Sequence, residues 1–416
     1  MHRLAAPVRD YAWGSTTHIP KFCGLPVDDS PAAEMWFGAH PSAPSLVDFG
    51  TGLDALIAES PVRCLGLPVV DSFGPRLPFL MKLLAAAEPL SLQVHPTGDR
   101  ARIRFEEQNA AGIPLDATER SYPDASHKPE LVYALTRFEG MAGFRDLAKS
   151  ARILRGFHLG WLDAIADHLD ESETPYQTLR EEVATMLSAT GPPLRRRLAQ
   201  LQSAAREAEA RSHRPHTRLR PPDVEASAVE RESVRVFAQT AQLVERYPED
   251  PGVLVTLLLN HVVLAVGEAM FIDAGVVHAY TSGFGLEVMA SSDNVVRAGL
   301  TPKYVDVGEM LEITSFTPIP PPRWKGAPLR QSHGALLAPP VDEFELVVAD
   351  VRAGQAYTEP ARPAILLCLE GELVVATDSD KEPLARGEAV FLEAAEGASS
   401  TTGRGRLAVA RAPQRS

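Results

Sequence analysis

Gln93 and His95 stand two residues apart in the run Leu90-Ser91-Leu92-Gln93-Val94-His95. Polar and apolar types alternate there as in a half-buried strand, whose successive side chains point to opposite faces. Ser91, Gln93 and His95 then share one face, and Leu90, Leu92 and Val94 the other. An amide oxygen beside an imidazole can ligate a divalent cation. Taken alone, the run is more simply a strand with one polar face, since glutamine is an uncommon zinc ligand. A carboxylate comes from His127-Lys128-Pro129-Glu130, where Pro129 biases Lys128 toward extended backbone and sets Lys128 and Glu130 on one face. Such a pair is ordinarily a surface ion pair, but its continuation, Leu131-Val132-Tyr133-Ala134-Leu135, reads as a core strand. A second histidine, His278, precedes a Ser282-Gly283-Phe284-Gly285 turn and the run Leu286-Glu287-Val288-Met289. A hairpin at that turn would face His278 and Glu287 toward a common cavity. If Gln93, His95, Glu130 and His278 converge, their nitrogen and oxygen donors suit zinc or a related divalent ion.

Arg297 and Lys303 lie in the polar and small-residue stretch 290–303, which reads as a loop with short turns. Both cations can neutralise a phosphate or a developing oxyanion; otherwise they are ordinary surface charges. Lysine is scarce, with seven residues against thirty-four arginines, which draws notice to Lys82, Lys128 and Lys303. Ser292-Asp293-Asn294 also occurs in serine β-lactam enzymes, but no Lys-Thr-Gly occurs anywhere in the chain. Gly283-Phe284-Gly285 lacks the third glycine of a dinucleotide loop, and there is no P-loop.

The elements that must position these residues fall into blocks. At 416 residues the chain exceeds a single core, so two or three domains are expected. Residues 1–145 read as mainly strand and turn, including the apolar runs 45–49 and 79–84. From 146 to 245 helical spacing runs through Leu154, Phe157, Trp161, Ile165 and Leu169, then Leu179, Val183 and Leu187, then Val234, Phe237, Ala241 and Val244. Within this helical insert, 211–222 is rich in arginine, proline and histidine. It reads as a solvated loop, because no aromatic residue is interleaved for base stacking. Strand patterning returns over 246–322 and again over 323–416. Gly267-Glu268-Ala269-Met270-Phe271-Ile272-Asp273-Ala274 is echoed 120 residues later by Gly387-Glu388-Ala389-Val390-Phe391-Leu392-Glu393-Ala394, so two related β units are expected. The position matching His278 is Ala398 in the second unit, which therefore lacks that ligand.

A net charge of −13 argues against a general nucleic-acid or anionic-membrane binder, while leaving room for a local basic pocket. Cys23, Cys64 and Cys368 form no C-x-x-C pair, which fits a reducing cytoplasm and gives no thiolate zinc site. The opening residues lack a signal-peptide core, and the longest apolar stretch, 253–266, is interrupted and too short to span a bilayer.

Together these segments resemble the type I mannose-6-phosphate isomerase family, whose members combine cupin barrels with a helical domain. The match runs in family order through Tyr11 to Ser15, Ala33 to Ser42, Pro89 to Pro96, His127 to Glu130, Gly143 to Arg145, Gly267 to Tyr280 and Ser292 to Val307. Its most specific part is Ser292-Asp293-Asn294-Val295-Val296-Arg297-Ala298-Gly299-Leu300-Thr301-Pro302-Lys303. The resemblance implies a mainly β chain with antiparallel cupin barrels and a helical insert: a catalytic domain split between 1–145 and 246–322, helices over 146–245, and a ligand-free cupin-like domain over 323–416. It further implies one Zn2+ per chain held by Gln93, His95, Glu130 and His278, with Arg297 as active-site arginine. Ser91, Lys128, Glu287 and Lys303 fall on its pocket positions, and Trp13 on a pocket wall. Ser126 departs from the asparagine the family commonly has there. The implied activity, in a cytoplasmic monomer acting on a small-molecule sugar phosphate, interconverts mannose 6-phosphate and fructose 6-phosphate through an enediol or enediolate, with Glu287 and Lys128 as candidate proton carriers. Two rivals are an iron-dependent cupin dioxygenase and a non-catalytic sugar-phosphate sensor. Gln93, standing where the dioxygenase's H-x-H motif has its first histidine, speaks against the former.

Overall fold

The computed structural model describes residues 1–212, 224–330 and 332–414. Among these, two antiparallel sheets carry the strands. The larger is organised around one 13-residue strand, His278–Ala290. Its second half pairs on one side with Phe79–Ala86 and on the other with Glu130–Ala134. Its first half pairs with Leu92–Val94 and Phe138–Phe144. The ladder runs from Arg323–Trp324 at one edge to Val8–Arg9 at the other, so the expected cupin layout is present with open edges.

The turn expected at 282–285 does not form: the chain continues as strand. Its register against Phe138–Phe144 slips between Tyr280 and Ser282, and this slip decides which side chains meet. His278 and Glu287 are an odd number of residues apart, so a regular strand would put them on opposite faces. The extra residue of a bulge restores a common face. Tyr280 accordingly packs with Leu84, Val132 and Met270, while Phe284, Leu286 and Val288 face the other way, toward the second sheet. Gly283 has φ 120°, and a Cβ there would lie 2.6 Å from the Arg137 carbonyl oxygen, so the bend requires glycine.

The second sheet centres on Ala364–Ala376 and Ser399–Arg411. The internal repeat is visible as structure: Gly267 and Gly387 have φ 88° and 89°, and lead into the fully buried strands Ala269–Ile272 and Ala389–Leu392. Each is followed by a 13-residue strand. His2–Leu4 pairs with Ala389–Leu392, so the chain's first strand belongs to the second sheet. Leu83, Leu131 and Leu286 of one sheet pack with Leu346, Ile365, Leu367 and Phe391 in one apolar layer.

Helices fill most of 147–256. The first stretch of helical spacing is two helices, Leu147–Arg155 and Gly160–Asp170, separated at His158 with φ 55°. Gly191–Ser212, absent from the sequence reading, buries Leu194, Leu198, Leu201 and Ala205 along one stripe. Arg211 ends this helix and donates to the Gly156 carbonyl at 2.8 Å; the remaining arginines of the basic stretch lie outside the described residues. In the first block, Leu53–Glu59, Pro61–Leu65, Leu67–Phe73 and Gly98–Ala110 are also helical. Their prolines, read as turn punctuation, sit in first turns where the missing N–H costs nothing. The run 45–49 is likewise not a strand, since a 3-10 turn begins at Asp48.

Arg145, fully buried, joins helices to sheet. Its Nε bonds Glu232 of the helix Val224–Arg246 at 2.9 Å, and its guanidinium also donates to the carbonyls of Leu257 and Leu259. Removing it leaves Glu232 with the His261 N–H but no cation, and takes a donor from both carbonyls. Arg145→Ala is expected to cost roughly 3–5 kcal/mol of unfolding free energy, read as a lower denaturant midpoint. An unchanged midpoint would refute this role.

Candidate metal centre

The pairing of His278 with Gln93 and of Gln93 with Arg297 sets three predicted residues across three neighbouring strands. One imidazole nitrogen each from His95 and His278 and a carboxylate oxygen of Glu130 lie within 4.8 Å of one another, and all three residues are buried. Nδ1 of His95 is 2.8 Å from the Asn294 carbonyl oxygen, and Nδ1 of His278 is 2.9 Å from that of Val276. A carbonyl can only accept, so each Nδ1 carries the proton and each Nε2 presents a lone pair. These lone pairs face the Glu130 carboxylate, at 3.2 and 3.3 Å. His95 Nε2 has no hydrogen-bond partner although buried. Three acceptors converging with no donor among them suit a cation. The Gln93 amide nitrogen lies 3.2 Å from His278 Nε2, and a half-turn of the amide puts its oxygen there instead.

The electrostatics keep these groups ready to ligate. Burial pushes the His95 pKa down to about 4, so the ring stays neutral. Burial opposes ionisation of Glu130, but the Lys128 ammonium outweighs it and holds the carboxyl well below its ordinary range. Lys128 Nζ is 3.0 Å from Glu130 Oε1, so the Lys-Glu pair is buried rather than on the surface.

Beyond Glu130 lies a charged cluster of which the sequence pointed to Glu287 and drew notice to Lys82 but gave no site role to Lys82, Glu34, Trp36 or Tyr280. Tyr280 hydroxyl donates to Glu130 Oε2 at 3.5 Å, and burial, with Glu287 and Glu130 nearby, raises its pKa. Glu287 Oε2 is 3.3 Å from Lys82 Nζ, which lies 3.8 Å from Glu34 Oε1 and 4.9 Å from the Trp36 ring centre. Trp36 Nε1 donates to Glu34 at 2.7 Å. Lys82 occupies an otherwise apolar, wholly buried strand, and Glu34 and Trp36 are two apart on one strand face. Those are the signals that could have found them. Burial raises the Glu287 pKa to about 7, with Glu130 and Glu34 adding to the rise and Lys82 and Lys128 opposing it. Burial alone would lower Lys82, but Glu34, Glu287 and Glu130 keep it above its ordinary value.

A cavity of about 970 Å³ is lined by Trp13, Ser91, Arg297 and Lys303, with residues 246–251 from the end of the helical block forming another wall. Lys128 and Glu287, expected in the pocket, are not on this wall but buried beside the metal group. Gln93 lies between Ser91 on the wall and His95 in the metal group. Among the described residues, neither Arg297 nor Lys303 has an ion-pair partner. Burial lowers the pKa of both, and Arg297 lowers that of Lys303 further, as two adjacent unneutralised cations must. Leu300 between them has φ 57°. Asp250 steadies this bend, accepting from Gly252 and Thr301 backbone N–H groups at 2.7 and 3.2 Å. The stretch 290–303 is thus more ordered than the loop expected of it. Val296–Gly299 is a strand paired with Leu92–Val94. Ser126 still contributes, through its backbone carbonyl, which accepts from Asn294 Nδ2 at 2.6 Å.

Fold and site together define a cupin-type protein with a buried site for a divalent metal beside a cation-lined cavity. The model for the phosphomannose isomerase type I catalytic domain matches residues 1–147, and that for the mannose-6-phosphate isomerase cupin domain matches 336–412. The mannose-6-phosphate isomerases of Salmonella typhimurium and Escherichia coli are 38% and 39% identical, over 98% of this chain and 98% of theirs. A crystal structure of the Salmonella typhimurium enzyme bound to substrate and zinc superposes with TM-score 0.85 at 35% identity, covering 100% of both chains. The chain belongs to the mannose-6-phosphate isomerase family and is an isomerase. Among the described residues no helix is long and apolar enough to cross a membrane.

Proposed function

We propose that this chain interconverts mannose 6-phosphate and fructose 6-phosphate with one zinc ion held by Gln93, His95, Glu130 and His278. The observation that carries the reading is the convergence of the His95, His278 and Glu130 acceptors, with His95 Nε2 left unpartnered. Bound there, zinc supplies Lewis acidity toward the sugar oxygens and helps to orient them. Arg297 and Lys303 give the cavity its positive charge, Lys303 toward the phosphate and Arg297 toward the phosphate or the enediolate oxygen. Trp13 and Ser91 form the wall against which the sugar lies.

Glu287, buried beside the metal group rather than on that wall, is the proton carrier for a sugar whose C1–C2 end reaches past Ser91 to the metal. As carboxylate it takes the proton from C2 while the C1 carbonyl oxygen gains negative charge, giving the enediolate. As carboxylic acid it returns that proton to C1, and the hydroxyl proton on O2 passes to O1, leaving the ketose. Lys128 holds Glu130 ionised instead. The chemistry belongs to 1–145 and 246–322, apart from the first strand; Leu187 of the helical block 146–245 and residues 246–251 just beyond it close one side of the cavity, and 323–416 is structural. A reducing cytoplasm suits an enzyme of sugar metabolism whose three cysteines are all free.

The test is conversion of mannose 6-phosphate to fructose 6-phosphate by the zinc-loaded chain; no turnover would reject the proposal. Arg297→Ala is expected to lower turnover by about a hundredfold to a thousandfold while zinc stays stoichiometric. Near-normal turnover in that variant would remove Arg297 from its role.

A further inference from the structure

His95 and His278 take the same tautomer by different means. The carbonyl that accepts from His278 is that of Val276, two residues away on the same stretch of chain. The one that accepts from His95 belongs to Asn294, 199 residues away, in the segment 291–295, which joins no strand. No ladder fixes that carbonyl, so something else must.

Asp124 sits where it can. Its Oδ1 accepts from Ser126 N at 2.9 Å, Ser292 Oγ at 2.9 Å and Asn294 Nδ2 at 3.2 Å. Its Oδ2 accepts from Asp293 N at 2.8 Å and Ser292 Oγ at 3.0 Å. The Asp124 backbone completes the clamp: its carbonyl accepts from Asn294 Nδ2 at 2.8 Å and its N–H donates to Asn294 Oδ1 at 3.3 Å. A single carboxylate thus binds three consecutive residues, 292–294, at the point where the third turns its carbonyl to His95. An ionised carboxylate offers about four acceptor sites and no donor, which matches this ring of donors.

We propose that Asp124 is a positioning residue for the metal centre: by gripping Ser292–Asn294 it aims the Asn294 carbonyl at His95 Nδ1 and so keeps His95 Nε2 bare and directed at the ion. The inference rests on the reading of His95 as a zinc ligand. Partners that orient a ligating histidine typically change metal affinity tenfold to a hundredfold when removed.

In the Asp124→Asn variant an amide NH2 confronts donors that need an acceptor. Zinc is titrated into the full-length apo chain against a chromophoric chelator, and cobalt is substituted to record its visible absorption. Asp124→Asn is expected to weaken zinc affinity by about tenfold to a hundredfold and to alter the cobalt spectrum. Ser292→Ala, which keeps the carboxylate but removes one of its donors, shows a smaller loss in the same direction and decides the matter if Asp124→Asn does not fold. A purely structural role would lower the unfolding midpoint and leave the affinity and cobalt spectrum of the folded variants unchanged, which would overturn the inference. A parent chain that takes up no zinc would overturn the site reading beneath it.

Discussion

Dialysis of the purified chain against a chelator is expected to abolish turnover, and one equivalent of zinc to restore it. The reversibility follows from the way the site is built. Gln93 and His278 are brought together by strand pairing, and the two imidazoles are fixed by carbonyls on their far nitrogens. None of these contacts needs the ion, so the apo chain keeps its strands and its far-UV circular dichroism. What the apo chain lacks is a partner for His95 Nε2 and a cation between two lone pairs and a carboxylate. Zinc should therefore also stabilise the fold, by about 2.7 kcal/mol when it is a hundredfold above its Kd, visible as a rise in unfolding temperature. Full turnover by a chain shown metal-free by elemental analysis would end the zinc reading.

Much of this centre was legible because strand alternation is a local rule. Period two placed Gln93 and His95 together, and Pro129 set Lys128 beside Glu130. Convergence was not legible, because it depends on pairings between strands far apart in sequence, such as His278 with Gln93. The long strand shows the limit most clearly. Gly283 and Gly285 looked like a turn, but here glycine serves close packing against Arg137, Phe138 and Tyr133, and a bulge reached the common face that a hairpin was expected to supply. The internal repeat survived intact because both copies obey the same turn chemistry at Gly267 and Gly387. The helix Gly191–Ser212 escaped notice for the opposite reason: its buried stripe is partly alanine, a weak apolar signal among many arginines.

The buried charges were the hardest part to read, and they lead to the second large effect. Glu34, Glu130 and Glu287 share one buried region with two lysines, Lys82 and Lys128. Without the ion and with all five ionised the cluster carries one negative charge in excess, which presses one carboxyl to keep its proton. Burial first, then Glu130 and Glu34, make that group Glu287, with a pKa of about 7. A proton carrier works best with its pKa near the working pH; zinc at Glu130 would draw the Glu287 pKa down from that value, toward the carboxylate form the proposed reaction needs. Replacing Glu287 by glutamine keeps the shape and removes the titration. Glu287→Gln is expected to lower kcat by about a hundredfold to ten-thousandfold, with zinc content unchanged.

The pH dependence separates lost chemistry from lost fold. In the proposed reaction the carboxylate form abstracts the proton, so kcat/KM of the parent should rise with pH as Glu287 ionises, at or below the value of about 7 it has without the ion, and the variant should lack that limb. For stability the sign is opposite. A carboxyl whose folded pKa exceeds its unfolded value, near 4.3, binds more protons in the folded state between the two values. Its stabilising contribution is complete below the unfolded pKa and is lost as pH rises through about 7. Glutamine cannot ionise and suffers no such loss, so as pH rises through about 7 the metal-free variant should lose less stability than the metal-free parent, while the zinc-loaded variant turns over far more slowly. Should the rising limb persist in Glu287→Gln, proton transfer would belong to another group, with Lys128 the remaining candidate beside the metal.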